Sequence, residues 1–231
     1  MEPDTHTLNP TCTGTSVLAL RYEGGVAVLT DRGVSYGKML RFKGITRQYR
    51  VNDKCIVTFG GDHSDFQYIQ NVIERRSEEL HNVSRSLTLT PKMLHSYLTS
   101  FLYYRRTKMN PIWNTLVVAG LEPNDEIHEP FIGVITQRGV AYEAKSLATG
   151  LGAMVLNEAL EKEYRAREGK LSRDEAVKIL QKAMEVTLYV DSLADKEYDI
   201  STIDAQNGVV AFPPAKTVGN WQIAEYNNQY F

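Results

Sequence analysis

The sequence predicts an α+β protein with four layers, in which two antiparallel sheets pack face to face and a helix pair covers each outer side. Three observations predict this class. Strand-like apolar runs occur in three groups, two pairs of helical segments separate these groups, and glycine-containing turns join neighbouring strands as hairpins. The element order is therefore strands, two helices, strands, two helices and strands, which a four-layer sandwich accommodates.

The first strand group lies in the N-terminal quarter of the chain. Residues 16–22 alternate loosely and favour a strand, residues 25–30 are apolar and β-branched, and the Glu23-Gly24-Gly25 stretch between them predicts a hairpin turn. Residues 50–59 carry two further short strand signals, broken at Asn52-Asp53. This segment closes on Gly60-Gly61, after which the periodicity changes to that of a helix.

Two helices follow the first strand group. Asp62 or Ser64 can cap the first helix, and Thr90-Pro91 opens the second, where the missing N–H of proline costs nothing. The polar segment 82–89 between them is predicted to be a loop. The apolar faces carry Phe66, Ile69, Val72, Ile73 and Leu80 in the first helix and Met93, Leu94, Tyr97, Leu98, Phe101 and Leu102 in the second.

The second predicted helix ends in basic residues. Arg105, Arg106 and Lys108 suit the negative end of the helix dipole, so a solvated helix end is one interpretation of residues 105–110. A contact with a neighbouring protein is the other, and the sequence does not choose between them.

The second half of the chain repeats the alternation. Ser172 and Glu175 form a predicted capping box, and Asn207-Gly208 predicts a turn between the last two strands. The predicted strands are 113–121, 131–136, 140–143, 199–204 and 209–212, and the predicted helices are 152–168 and 173–191.

Composition excludes several classes of function. The net charge of −2 gives no basic footprint for nucleic acid, and no apolar run reaches the roughly 20 residues that span a bilayer. No secretory signal is visible, and Cys12 and Cys55 read as reduced thiols, so we expect cytoplasm and nucleus. The five histidines lack metal-ligand spacing, and we predict neither a metal nor a cofactor.

The C-terminal tail, residues 213–231, is unusually aromatic for a polar segment. It either folds back on its own domain or reaches a neighbouring protein, because such side chains are seldom left in water without a partner. The residues concerned are Trp221, Ile223, Tyr226, Tyr230 and Phe231.

Three short motifs then carry a resemblance to a known family. Gly14-Thr15, Thr30-Asp31-Arg32 and Gly60-Gly61-Asp62 together resemble the beta subunits of the 20S proteasome, over nearly the whole chain from residue 7. Residues 104–114 and 146–150 are most similar to the class called beta-7 or beta type-4.

The resemblance implies the N-terminal-nucleophile hydrolase fold, in agreement with the element order. It divides the chain into a short leader, residues 1–14, which is partly retained, a beta-type domain, residues 15–212, and a C-terminal arm, residues 213–231. Residues 7–14 look like the retained leader of that class.

In active members of the family an N-terminal threonine is the nucleophile. Once the preceding peptide bond is cut, the freed α-amine accepts the hydroxyl proton. A lysine tunes this transfer, carboxylates hold the lysine, and serine hydroxyls complete the network. On this pattern Thr15 matches the nucleophile, and Asp31 and Asp191 match the two carboxylates.

Three other positions depart from the active pattern. Arg47 stands at the lysine position, and a planar, permanently charged guanidinium cannot exchange a proton. Leu151 and Ala194 stand where active members have serines. We therefore predict a degenerate, non-catalytic site in which Asp31 and Asp191 form an ion pair with Arg47.

The leader adds a second objection to catalysis. If processing occurs before Thr7, as in the resembling class, the nitrogen of Thr15 stays an amide and is not a base. Two rival hypotheses remain open: an active threonine protease cut at Gly14–Thr15, and a free-standing binding domain of 26.1 kDa.

The resemblance also implies the partners. These are beta subunits of the same and the opposite ring, alpha-ring subunits and, indirectly, regulatory caps and assembly factors, with no nucleic acid and no membrane. In this picture the arm crosses to the opposite beta ring and stabilises the double ring.

Overall fold

A computed structural model describes residues 10–124 and 128–222. Their strands form two antiparallel sheets of eight and six strands. The eight-stranded sheet contains β1 (Cys12–Gly14), β4 (Val34–Tyr36), β5 (Met39–Phe42), β6 (Gln48–Asn52), β7 (Cys55–Asp62), β8 (Asn114–Glu122), β9 (Glu129–Ile135) and β10 (Ala141–Glu143). The six-stranded sheet contains β2 (Val17–Tyr22), β3 (Gly25–Asp31), β11 (Ser146–Ala148), β12 (Glu197–Asp204), β13 (Gly208–Ala211) and β14 (Ala215–Lys216).

Four helices form the outer layers. Helices α1 (His63–Val83) and α2 (Pro91–Thr107) pack on the eight-stranded sheet, whereas α3 (Gly152–Ala166) and α4 (Arg173–Val190) pack on the six-stranded sheet. The Ser172–Glu175 capping box opens α4, and the carboxylate of Asp62 caps α1 by accepting from the N–H groups of Ser64 and Asp65. The predicted capping box of α4 is therefore confirmed. Of the two residues predicted as possible caps of α1, Asp62 and Ser64, the cap is Asp62.

The core consists of three apolar layers, because alternate side chains of each strand point to opposite faces. In β2, Leu18 and Leu20 face α3 and α4, while Val17 and Ala19 face the other sheet. Between the sheets, Val17 and Ala19 share a buried cluster with Val117 of β8. This arrangement confirms the predicted four-layer αββα sandwich.

The predicted hairpins are also present. Tyr22 pairs with Gly25 across a two-residue turn in which Gly24 has a φ of 80°, a conformation that favours glycine. Asp204 pairs with Gly208, so the Asn207-Gly208 stretch closes the β12–β13 hairpin. The predicted boundaries of α3 and α4 extend one or two residues too far, since α3 ends at Ala166 and α4 at Val190.

Candidate functional site

The predicted nucleophile lies where two sheets diverge. Gly14 is the last residue of β1 and pairs with Gly61 of β7, and Val17 begins β2 in the other sheet. Thr15 therefore sits in the short crossing between the sheets. Its hydroxyl donates a hydrogen bond to Oδ1 of Asp31 at 2.7 Å.

Asp31 ends β3 and is almost completely buried. Besides the Thr15 hydroxyl, its Oδ1 forms an ion pair with Nη2 of Arg47. Its Oδ2 accepts from the backbone N–H groups of Gly33 at 3.1 Å and Asp195 at 3.2 Å. Both carboxylate oxygens therefore have partners.

Arg47 precedes β6 and is fully buried. Its Nε donates to the carbonyl of Asp31 at 3.0 Å, and its Nη1 donates to the carbonyls of Thr15 at 3.0 Å and Phe59 at 2.9 Å. Its Nη2 donates to the carbonyl of Ser16 at 2.8 Å and to the Asp31 carboxylate. A guanidinium has five N–H bonds, and here each has its own acceptor.

The backbone around Arg47 leaves little room for change. A Cβ atom on Gly14 would lie 2.6 Å from Cδ of Arg47, so glycine is needed where the arginine side chain passes the end of β1. The guanidinium carbon also lies 6.0 Å from the ring centre of Phe59, within reach of a cation–π contact. Arg47 thus ties together β1, β2, β3 and β7.

The structure corrects the prediction for Asp191. This residue caps the C-terminus of α4, and its Oδ1 accepts from the N–H of Leu193 at 3.0 Å. Within residues 10–124 and 128–222, Asp31 is the carboxylate that pairs with Arg47. The Asp191 side chain thus binds the backbone of the loop that follows α4. The same loop contacts the Arg47–Asp31 pair through the N–H of Asp195, which donates to Asp31.

Leu151 and Ala194 do not contribute side chains to the Arg47 contacts. Leu151 precedes α3 with 46% of its surface exposed, while the adjacent N–H of Gly152 donates to the hydroxyl of Ser16 at 3.0 Å. The N–H of Ala194 donates to the carbonyl of Asp191 at 3.2 Å. The assignment of Thr15, Asp31, Arg47, Leu151, Asp191 and Ala194 to positions of an ancestral active site stays a prediction.

Sequence reasoning missed the anchor of the segment before Thr15. Strand β1 lies between β4 and β7, and Oδ2 of Asp62 accepts from the N–H groups of Thr11 at 2.8 Å and Cys12 at 3.4 Å. The same carboxylate caps α1 through Oδ1. The cap was readable from the sequence, but the second use of Asp62 depends on pairing between residues about 50 positions apart.

The described residues contain no group of three or more potential ligand side chains that could hold a metal ion. No helix in that part of the chain is long and apolar enough to cross a membrane. Cys55 is fully buried, and burial raises the pKa of its thiol. The thiol is therefore neutral and unsuited to nucleophilic chemistry.

The predicted arm is described only at its start. Trp221 is 55% exposed, and its ring meets that of Tyr189 on α4 edge to face, with the ring centres 5.0 Å apart. The N–H of Asn220 donates to the hydroxyl of the same Tyr189. The other predicted contact residues, Ile223, Tyr226, Tyr230 and Phe231, lie outside the described residues.

Comparisons with known proteins agree with the motif-based resemblance. The family model described as "Proteasome subunit" matches residues 11–203. A proteasome subunit beta type-4 from Xenopus laevis is 39% identical over 222 residues, covering 96% of this chain and 89% of the relative. The Arabidopsis thaliana beta type-4 subunit is 34% identical, covering 98% and 89%, and the Saccharomyces cerevisiae beta type-7 subunit is 33% identical, covering 90% and 79%.

Proposed function

Because this chain belongs to the proteasome subunit family, as a beta subunit of the core particle, we propose that it supports the particle structurally and does not itself cleave peptides. One observation carries this proposal. All five N–H bonds of Arg47, the residue that we assign to the lysine position of active members, are committed to acceptors in the domain.

The chemistry of the cluster favours a structural role. A guanidinium stays protonated in proteins and has no acceptor atom, so it cannot take or return the proton of the Thr15 hydroxyl. Two of its donors bind the backbone carbonyls of Thr15 and Ser16. Arg47 therefore fixes the segment of chain that crosses between the two sheets. It offers the hydroxyl of Thr15 no base.

The strand before Thr15 supports the same conclusion. A free α-amine at Thr15 requires cleavage of the Gly14–Thr15 bond, immediately after β1. That strand is paired on one side with β4 and on the other with β7, and Asp62 binds the N–H groups at its start. Cleavage of the Gly14–Thr15 bond would break the covalent link between β1, an internal strand of the sheet, and the rest of the domain.

We further propose the setting in which this subunit works. It lines the chamber in which other beta subunits degrade protein in an ATP- and ubiquitin-dependent pathway, in cytoplasm and nucleus. Its partners are beta subunits of both rings and alpha subunits, with caps and assembly factors acting indirectly. The arm stabilises the two-ring assembly, so deletion of residues 218–231 leaves the domain folded and impairs joining of half-particles.

An active threonine protease is the second candidate. The hydrogen bond of 2.7 Å from the Thr15 hydroxyl to Asp31 is the observation in its favour, since a nucleophile needs an acceptor beside it. In this cluster the carboxylate already accepts from Arg47 and from the N–H groups of Gly33 and Asp195, so both of its oxygens are committed to holding the domain together.

N-terminal sequencing and intact mass of this subunit from purified core particles separate the two candidates. We expect a chain that begins before Thr15, whereas catalytic beta subunits in the same sample begin at their threonine and serve as the internal control. A chain that begins at Thr15 would overturn the structural proposal. A chain found only as a 26.1 kDa monomer would instead favour the free-standing binding domain.

A further inference from the structure

The C-terminal end of α2 carries a concentrated set of aromatic and basic side chains, which we call the α2 corner. It is formed by Tyr68 of α1, residues 103–110 and the turn at Arg138. The turn belongs to the corner because a Cβ on Gly139 would lie only 2.7 Å from Cβ of Tyr103.

Three cations of the α2 corner lie over tyrosine rings. Arg105 lies 5.9 Å from the ring centre of Tyr68, and Arg106 lies 5.7 Å from that of Tyr103. Lys108 lies 5.5 Å from the ring centre of Tyr104. The three rings are each about half exposed, so the rings and the cations above them lie at the protein surface. The cation–π contacts hold the cations in place there.

The positive charge of the α2 corner is not balanced within the described residues. No ion pair there involves Arg105, Arg106, Lys108 or Arg138. Asp65 interacts with Arg105 but is half-buried, and its Oδ2 accepts from the N–H of Trp113 at 2.8 Å. The whole chain has a net charge of −2, so the excess of positive charge is confined to the α2 corner. Such a local patch suits an acidic surface on a partner protein rather than a polyanion.

Met109 follows the C-cap residue of α2 in a helix-terminating turn, where the N–H of Asn110 also donates to the carbonyl of Arg105 at 3.1 Å. Met109 has a φ of 53°, a left-handed conformation that is uncommon outside glycine and asparagine, and 80% of its surface is exposed. The turn is held by hydrogen bonds from the N–H of Met109 to the carbonyl of Arg106 at 3.0 Å and from Nε of Arg105 to the carbonyl of Asn110 at 3.1 Å. This turn accounts for the backbone of Met109, but not for a large, exposed apolar side chain at a position that glycine would occupy without strain. That choice of residue points to a function for the side chain.

We propose that the α2 corner docks on another subunit of the core particle, with Met109 inserted into an apolar pocket whose rim is acidic. Tyrosine, arginine and methionine are the residue types that interface centres favour. The cations, already positioned over the tyrosine rings, orient the acidic rim and exclude mismatched neighbours. The inference rests on membership of the core particle and is independent of whether Thr15 is catalytic.

Photocrosslinking tests the contact directly. A diazirine amino acid replaces Met109 in the full chain, and assembled core particles are purified and irradiated. We expect a crosslink to a peptide of another subunit that combines apolar residues with aspartate or glutamate. Crosslinks only within this chain, to nucleic acid, or to no other molecule would overturn the proposal.

A second variant distinguishes docking from local structure. Met109→Gly removes the side chain but suits the positive φ, so a merely structural role predicts unchanged or higher thermal stability and normal assembly. Docking predicts that incorporation of the variant into core particles falls about fivefold or more in competition with the unchanged chain. Equal incorporation of the two chains would contradict the proposal.

Charge reversal supplies a matched comparison. Arg106→Glu with Lys108→Glu is expected to reduce incorporation at least as strongly as Met109→Gly. The control is Arg75→Glu with Arg85→Glu, which makes the same change in charge at exposed cations outside the corner. A similar loss in both double variants would mean that net charge, and not the α2 corner, limits assembly.

Discussion

Nη2 of Arg47 forms an ion pair with Oδ1 of Asp31 in the interior of the domain, where the two side chains are 0% and 1% exposed. The same guanidinium binds four backbone carbonyls on three strands or their flanking residues. The side chain that the motif comparison assigns to the lysine position is therefore used here to join segments of chain.

Replacement of Arg47 with methionine tests this structural role. The variant leaves the buried carboxylate of Asp31 without its cation and removes the guanidinium donors of four backbone carbonyls. We expect a loss of about 3–5 kcal/mol in the free energy of unfolding of the full chain, measured by denaturant titration. The control is Arg50→Met, which breaks an exposed ion pair with Asp53 and is expected to cost about 0–1 kcal/mol. Equal stability of the Arg47 variant and the unchanged chain would refute the structural role.

Replacement of Thr15 with alanine tests the proposed lack of catalysis. The variant loses the hydrogen bond to Asp31, a cost of about 0.5–1.5 kcal/mol in stability, while Asp31 keeps its ion pair. We expect every peptidase activity of assembled core particles to stay at its normal rate. Thr15→Ser, which retains the hydroxyl, is the matched control and should restore the lost stability. Loss of one peptidase specificity with Thr15→Ala alone would identify this chain as an active protease.

The sequence predicted the layers of this fold because its signals are long and local. The apolar stripes of α1 and α2 and the capping box at Ser172 all lie within about twenty residues of chain. The sequence did not predict strands β1, β4, β11 and β14. Each has only two or three residues, too few to establish an alternating pattern. Strand β5 lies at the sheet edge and is largely exposed, so it too lacks the alternation of a half-buried strand.

The site was predictable in its residues but only partly in its contacts. The predicted pairing of Asp31 with Arg47 beside Thr15 is confirmed. The predicted pairing of Asp191 was wrong because the hydrogen bond from Leu193 fixes that carboxylate at the end of α4. The loop after α4 contacts the site instead through the N–H of Asp195, which donates to Asp31, and no local sequence pattern encodes a contact across 164 positions.

Replacement of Asp62 with asparagine tests whether this side chain retains β1. Asparagine still caps α1 through its carbonyl oxygen, but its amide nitrogen cannot accept from the N–H of Thr11. We expect alkylation of Cys12 to accelerate roughly tenfold or more, because a hydrogen bond to a charged group is lost. Peptide-level mass spectrometry measures the rate, and Cys55, buried and with a raised pKa, should stay unlabelled.

The control for that experiment is Thr90→Ala. It removes the hydroxyl that caps α2 by accepting from the N–H of Met93, a cost of about 0.5–2 kcal/mol, without touching β1. We expect lower stability but no change at Cys12. If both variants label Cys12 equally fast, general loosening of the domain is the cause, and the anchoring role of Asp62 is refuted.

Replacement of His63 with glutamine tests a pH dependence at the start of α1. Burial against Phe59, whose ring centre lies 5.6 Å away, lowers the pKa of His63, and the nearby Asp62 only partly opposes this shift. Just below pH 6.5 the unfolded chain therefore binds more protons than the folded chain, so stability falls as the pH falls through this range. We expect His63→Gln to reduce the difference in denaturant midpoint between about pH 7.5 and 5.5. The control is His81→Gln at the exposed end of α1, which makes the same substitution away from Phe59. An unaltered difference in the His63 variant would show that other groups cause the loss of stability in acid.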